Sequence, residues 1–236
     1  MSTVVLLHGF TLTGRSWDPV IACLSGADPL ALDLRGHGAA REARPIDVPS
    51  VVEDVVAAAP RGATLCGYSL GGRMALRAAL EHPGAFGRLV LVGASPGIAD
   101  PVQRAARRAA DDALADRVQG MTMEAFAREW GALEVFATQP EDVRALAHTD
   151  RLRNDPRALA EALRGLGAGA MEPMWDRLGE LNLPVTLAAG ERDPKYVAIA
   201  RATAERIPGA EVTIVAGAGH AVHLEAPETV AALLSS

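Results

Sequence analysis

Gly67-Tyr68-Ser69-Leu70-Gly71-Gly72 follows the short apolar run Ala63-Thr64-Leu65-Cys66 and leads into the helical stretch Arg73 to His82. A strand, a Gly-x-Ser-x-Gly turn and a helix in that order predict a nucleophile elbow. The turn leaves no room for side chains beside the serine, hence the glycines, and it drives the serine into a sparsely allowed backbone region. Ser69 is then presented at a strand tip, backed by the partial positive charge and free N–H groups of the following helix. Gly-x-Ser-x-Gly also occurs in ordinary strand-to-helix turns, so the partners available to Ser69 decide its meaning.

Upstream, Thr3 to Leu7 is a continuous apolar, β-branched-rich run, the pattern of a parallel strand covered on both faces. It ends in His8-Gly9-Phe10-Thr11, where the chain can curl over the strand's carboxyl end. The N–H groups of Phe10 and Leu70 are the expected halves of an oxyanion hole, and His8 is expected to be a structural hydrogen-bonder. Ser16 to Leu24 reads as a helix, and Pro29 to Leu32 as a strand entering Asp33-Leu34-Arg35-Gly36-His37-Gly38, a hydrogen-bonded turn. Ser50-Val51-Val52-Glu53 reads as a capping box opening a helix through Ala59, and Arg88 to Val92 as another strand. The alternation of strands and helices implies a parallel sheet with helices on both faces.

From residue 98 to 176 the signals are helical only. Asp100-Pro101, Thr122, Thr138 to Glu141 and Asp155-Pro156 mark helix starts, and Gly165-Leu166-Gly167-Ala168-Gly169 reads as a flexible closing segment. A helical cap insertion at 98–176 is expected, interrupting a core formed by 1–97 and 177–236. The α/β pattern resumes with strands at Pro184 to Ala188 and Glu211 to Val215, and helices at Tyr196 to Ile207 and Pro227 to Leu234.

Composition excludes several classes. The 236 residues are 49% apolar and 22% charged, which argues against disorder and coiled coil. A net charge of −6 argues against a nucleic-acid partner. Met1 to Leu7 has neither the basic flank of a signal peptide nor the length of a membrane span, so a cytoplasmic protein without membrane insertion is expected. Cys23 and Cys66 form no disulfide framework, and no Cys/His cluster has metal-ligand spacing; neither metal nor cofactor is expected.

The strand at Pro184 runs into Gly190-Glu191-Arg192-Asp193, and the last strand into Gly217-Ala218-Gly219-His220. Ser69, Asp193 and His220 therefore all follow strand ends, in the order nucleophile, acid, base. Asp193 would orient His220 and stabilise its imidazolium form, while His220 takes the Ser69 proton. Glu191 or Asp100 as the acid, and His223 as the base, are the alternatives.

These motifs resemble the α/β-hydrolase superfamily and, within it, the 2-succinyl-6-hydroxy-2,4-cyclohexadiene-1-carboxylate synthase family of menaquinone biosynthesis. The elbow followed by Arg73, and in the insertion Arg107-Arg108-Ala109-Ala110-Asp111, Trp130 and Arg151-Leu152-Arg153, carry the narrower likeness. Because the chain starts at the strand before His8-Gly9, the superfamily's first antiparallel strands are expected to be missing. The resemblance implies a cofactor-independent lyase that eliminates pyruvate from a small polycarboxylate, with Ser69 acting as a base. Such a substrate needs fixed cations. Of the 23 basic residues all but Lys195 are arginine, and Arg73, Arg107 and Arg153 are the forks expected to bind its carboxylates. Tyr68 either donates a hydrogen bond to substrate or packs; Trp130 belongs to the core of the insertion or to the pocket wall. The rival readings are a serine ester or thioester hydrolase acting on an acidic substrate, and a silenced ligand-binding module. Oligomeric state is not legible.

Overall fold

The computed structural model describes residues 2–235. Strands β1 (Ser2–Leu7), β2 (Ala27–Leu32), β3 (Ala63–Tyr68), β4 (Phe86–Val92), β5 (Val185–Gly190) and β6 (Glu211–Val215) form one sheet in the order β2-β1-β3-β4-β5-β6. Every pairing in this described sheet is parallel. Pro29, which has no N–H for a ladder, lies on the edge strand β2, opposite Val4.

Alternate side chains of the central strands divide into two apolar layers, as the period of two requires. Val5, Leu7, Leu65, Leu89 and Leu91 face the layer holding α2 (Val48–Ala58), α3 (Leu70–Glu81) and α8 (Pro194–Ala204). Val4, Leu6, Cys66, Val90 and Val92 face the layer holding α1 (Asp18–Cys23), the short α9 (Val222–Glu225) and α10 (Pro227–Ser235). The expected sheet flanked by helices is thus the observed one. The start of α2 differs from the capping-box reading: its N-cap is Asp47, which accepts the Ser50 N–H at 2.9 Å, with Pro49 in the first turn. A carboxylate three residues upstream satisfies that donor, so the helix begins two residues before Ser50.

Between β4 and β5 lie α4 (Pro101–Val118), α5 (Met123–Gly131), α6 (Glu141–Arg151) and α7 (Pro156–Leu166). Asp100, Thr122 and Asp155 cap three of them through their side chains. Their apolar clusters are small: Ala115, Ala160 and Leu163 in one, Val118, Phe126 and Leu159 in the other. Phe10, just past the carboxyl end of β1, packs against both clusters, which sets these helices over the strand ends. The glycines at 165–169 are not a flexible closing segment. Gly165 lies inside α7, where a Cβ would overlap the Ile46 carbonyl oxygen, and a Cβ at Gly169 would overlap the backbone of Arg107 and Arg108. Close backbone approach, not freedom, explains them. No described helix is long and apolar enough to cross a membrane.

Candidate active site

Ser69 sits at φ 50° and ψ −105°, a conformation forced by the strand-to-helix turn. Backbone crowding makes the neighbouring glycines obligatory: a Cβ at Gly67 would overlap Gly71, and one at Gly71 would overlap the carbonyls of Leu7 and His8. The loop after β5 carries Asp193, the N-cap of α8, and the loop after β6 carries His220. His220 Nδ1 lies 2.7 Å from Asp193 Oδ2, and both residues are more than nine-tenths buried. Asp193 Oδ1 accepts the Tyr196 N–H at 3.2 Å, so each carboxylate oxygen has a fixed partner. His220 Nε2 is 3.4 Å from Ser69 Oγ, a loose hydrogen bond of the kind that tightens around a bound substrate.

The alternative acids and base are engaged elsewhere. Glu191 accepts the Gly217 N–H, Asp100 caps α4, and His223 is buried with its ring centroid 4.2 Å from Tyr68 and 4.7 Å from Trp17. His8 is structural: Nε2 accepts the Leu34 N–H at 3.0 Å, leaving Nδ1 to donate to the Gly9 carbonyl at 2.8 Å. Burial pushes its pKa down to about 4. Asp33 belongs to its turn, accepting from the N–H groups of Gly14 and Ala39.

A cavity above Ser69 is lined by Phe10, Leu70, Arg73, Arg107, Trp130 and Tyr196, together with Leu163 to Ala168 apart from Arg164 and Gly165. Neither the Phe10 nor the Leu70 N–H donates within the protein among the described residues. Trp130 lies 5.0 Å from Phe10 and 5.7 Å from Phe126, so it is both core of the helical segment and cavity wall. Tyr68 is buried, its ring 5.3 Å from that of His220.

Arg73 is 9% exposed, and among the described residues no carboxylate lies within ion-pairing distance of it. Its Nη1 donates to Met171 Sδ at 3.3 Å. Burial pushes the guanidinium pKa down to about 10; Tyr196 draws it back up and Arg107 presses it further down. Arg107 reaches the same cavity while its Nε holds Asp111 Oδ1 at 2.8 Å.

Arg153 is not brought to this cavity. It is half-exposed, 3.5 Å from Asp150 and beside Arg15 and Leu146 on another face. Arg151 points inward instead: it is 3% exposed, its Nε donates to Thr11 Oγ1 at 3.3 Å, and its Cζ lies 5.3 Å from the centre of the Phe136 ring. Positions two apart at a helix end point to opposite sides, so one of the pair faces out. The buried positions of α6, Val143, Ala147, Asp150 and Arg151, follow the helical period, and that period carried the signal. The sequence marks Tyr196 only as a helix start, whereas its ring stands 4.4 Å from that of His220, one turn beyond the acid.

The Alpha/beta hydrolase family model matches residues 4–233. A Bacillus subtilis (strain 168) protein, provisionally named for 2-succinyl-6-hydroxy-2,4-cyclohexadiene-1-carboxylate synthase activity, is 33% identical over 98% of this chain and 88% of its own. A Salmonella paratyphi C (strain RKS4594) protein named 2-succinyl-6-hydroxy-2,4-cyclohexadiene-1-carboxylate synthase is 32% identical over 95% of this chain and 89% of its own. The solved structure of MenH from S. aureus superposes with a TM-score of 0.92 at 30% identity, over 99% of this chain and 91% of that one.

Proposed function

The chain belongs to the alpha/beta hydrolase family, and from that premise we propose that it is a carbon–oxygen lyase of menaquinone biosynthesis. It eliminates pyruvate from 2-succinyl-5-enolpyruvyl-6-hydroxy-3-cyclohexene-1-carboxylate, leaving 2-succinyl-6-hydroxy-2,4-cyclohexadiene-1-carboxylate. One observation carries this reading beyond the names of the relatives. Arg73 is a buried guanidinium one helical turn after Ser69 with no carboxylate partner among the described residues, and such a group needs an anion from the substrate. Arg107 offers a second fork in the same cavity. A polycarboxylate suits such a wall; a neutral lipid does not.

Residues 98–176 serve as a cap over the core formed by 1–97 and 177–236. Asp193 holds His220 in the tautomer whose Nε2 takes the Ser69 proton, and the serine oxygen takes a ring proton from the substrate. The freed C2–H electron pair forms a C2=C3 double bond, the existing C3=C4 pair moves to C4=C5, and the C5–O bond to the enolpyruvyl group breaks. The leaving group takes up a proton and ketonises to pyruvate, so atoms and electrons balance without a further reactant. The Phe10 and Leu70 N–H groups hold the charge that develops on departure. Trp130 shapes the wall beside it, and Tyr68 packs behind against His220.

The test is pyruvate release coupled to lactate dehydrogenase, with substrate generated in situ and its spontaneous decay subtracted. Enzyme-dependent pyruvate that disappears in Ser69→Ala supports the lyase. A folded protein that releases none above background, yet turns over p-nitrophenyl esters through an acyl-Ser69 intermediate, overturns it in favour of a hydrolase.

A further inference from the structure

Thr11 is a buried β-branched residue at φ 70°, in the left-handed region that side chains of its shape avoid. It immediately follows Phe10 in a turn closed by the Leu12 N–H, which donates to the Gly9 carbonyl at 3.1 Å, so it belongs to the same tight loop as the Phe10 N–H. Strain of this kind persists only where the surroundings over-determine it. Beyond the turn's own backbone bond, the long-range side-chain bonds that hold this loop come from the junction of α6 and α7. Asn154 Nδ2 donates to the Thr11 carbonyl at 2.8 Å and to the Arg151 carbonyl at 3.2 Å, while its Oδ1 accepts the Gly38 N–H at 2.9 Å. Those partners leave the amide one orientation, because a carbonyl only accepts and an N–H only donates. Asp150 takes the Thr13 N–H at 2.8 Å on one oxygen and the Thr13 hydroxyl at 2.5 Å on the other. Arg151 reaches Thr11 Oγ1. All of these side chains are buried, and each bond spans more than a hundred residues of sequence except the one from Asn154 to Arg151.

We propose that Asp150 and Asn154 are positioning residues: they clamp the loop Gly9–Thr13 so that the Phe10 N–H is correctly aimed only while the cap is docked. The inference rests on the reading of that N–H as an oxyanion-hole donor. It adds that the cap contributes to the chemical step through backbone it holds, as well as through the Arg107 it presents. Neither residue lines the cavity, so a role in touching substrate is not required of them.

Asn154→Ala is the first variant, assayed beside wild type for kcat and KM of pyruvate release, for Tm, and for phosphorylation of Ser69 by diethyl p-nitrophenyl phosphate. In the last reaction a Ser69 Oγ–P bond forms, p-nitrophenolate leaves and His220 takes the proton, so it reads the same donors whatever the natural substrate. Wild type that phosphorylates but releases no pyruvate overturns the lyase reading alone. A well-placed oxyanion donor contributes about 10²–10³ in rate, so a misaimed one should lower kcat and the phosphorylation rate about 10- to 100-fold, with KM changed less than threefold. Thr11→Gly, added to Asn154→Ala, should restore part of both rates, because glycine adopts the left-handed conformation unaided. A merely structural Asn154 predicts no such rescue. The proposal is overturned by rates within twofold of wild type in Asn154→Ala, by a rise in KM at constant kcat, or by a double variant slower than the single one. If Asn154→Ala does not fold, Thr13→Val, which removes the hydroxyl that donates to Asp150 and accepts the Arg15 N–H, is held to the same fall in both rates at constant KM.

Discussion

Ser69, Arg73 and Tyr196 reach the cavity from strand ends and the helices behind them, whereas Arg107, Trp130 and Leu163 reach it from helices whose own clusters hold three buried apolar residues each. The core wall is set by backbone. A parallel ladder, obligatory glycines and a strained elbow fix where Ser69, Asp193 and His220 lie, and His220 and Asp193 pair with each other. The helical wall is set by side chains, and its charged group Arg107 pairs locally with Asp111. Under the proposed function, this difference gives the bond-making chemistry to the core and the choice of substrate mainly to the cap, with Arg73 as a selectivity group mounted on the core.

Replacing Ser69 with alanine tests the first half of that division. Activity in the pyruvate assay should fall by about 10³-fold or more while Tm stays near wild type, since the elbow backbone is held by its neighbours. An active Ser69→Ala enzyme would remove the core wall from the chemistry. Arg73→Ala should cost about 2–5 kcal/mol in kcat/KM by leaving a substrate carboxylate unpaired. A loss under threefold breaks its role, and the same variant should not lose Tm, because a buried charge without a carboxylate partner stabilises nothing.

Acid distinguishes the walls through stability. His8, His37 and His223 are all buried in the core, and burial pushes their pKa values down to about 4, 3 and 3. Each is neutral when folded, whereas the unfolded chain protonates below about pH 6.5. Their contribution is therefore complete above pH 6.5 and is lost as pH falls toward 4 and 3, at up to about 1.4 kcal/mol per pH unit for each histidine. Urea unfolding between pH 7.5 and 4.5 should show that slope, and His223→Phe should make it shallower; an unchanged slope contradicts the assignment. The smallest effect belongs to Arg107→Ala. Its guanidinium is half-exposed and already paired, so a rise in KM of about threefold to tenfold with kcat nearly constant is expected. A larger loss than that of Arg73→Ala would reverse the ranking of the two walls.

The sheet, the elbow and the order Ser69, Asp193, His220 were legible in the chain because each is a local pattern. An apolar run of strand length, glycines where backbone meets backbone, and a polar residue just past a strand end need no knowledge of distant partners. Legibility failed where two distant segments meet. The glycines at 165 and 169 carry the local pattern of a flexible segment, but Ile46 and Arg108 pack against them, and no local pattern names those partners. A local reading missed as well at α2, where the Asp47 carboxylate accepts the Ser50 N–H and so starts the helix at Val48.

By itself the sequence determined the fold class, the presence of helices from 101 to 166 between the fourth and fifth strands, and Arg73, whose offset of four from Ser69 sets it one helical turn away. Tertiary structure alone decided which of Arg151 and Arg153 turns inward, that Tyr196 stands over His220, and that Asp150 and Asn154 grip a loop some 140 residues away, as with the Asp150–Thr13 bond spanning 137. The physical reason is range. Propensity and periodicity act over a turn or a strand, whereas the facing of a helix end and the aim of a buried amide are set by whatever the rest of the chain packs against them.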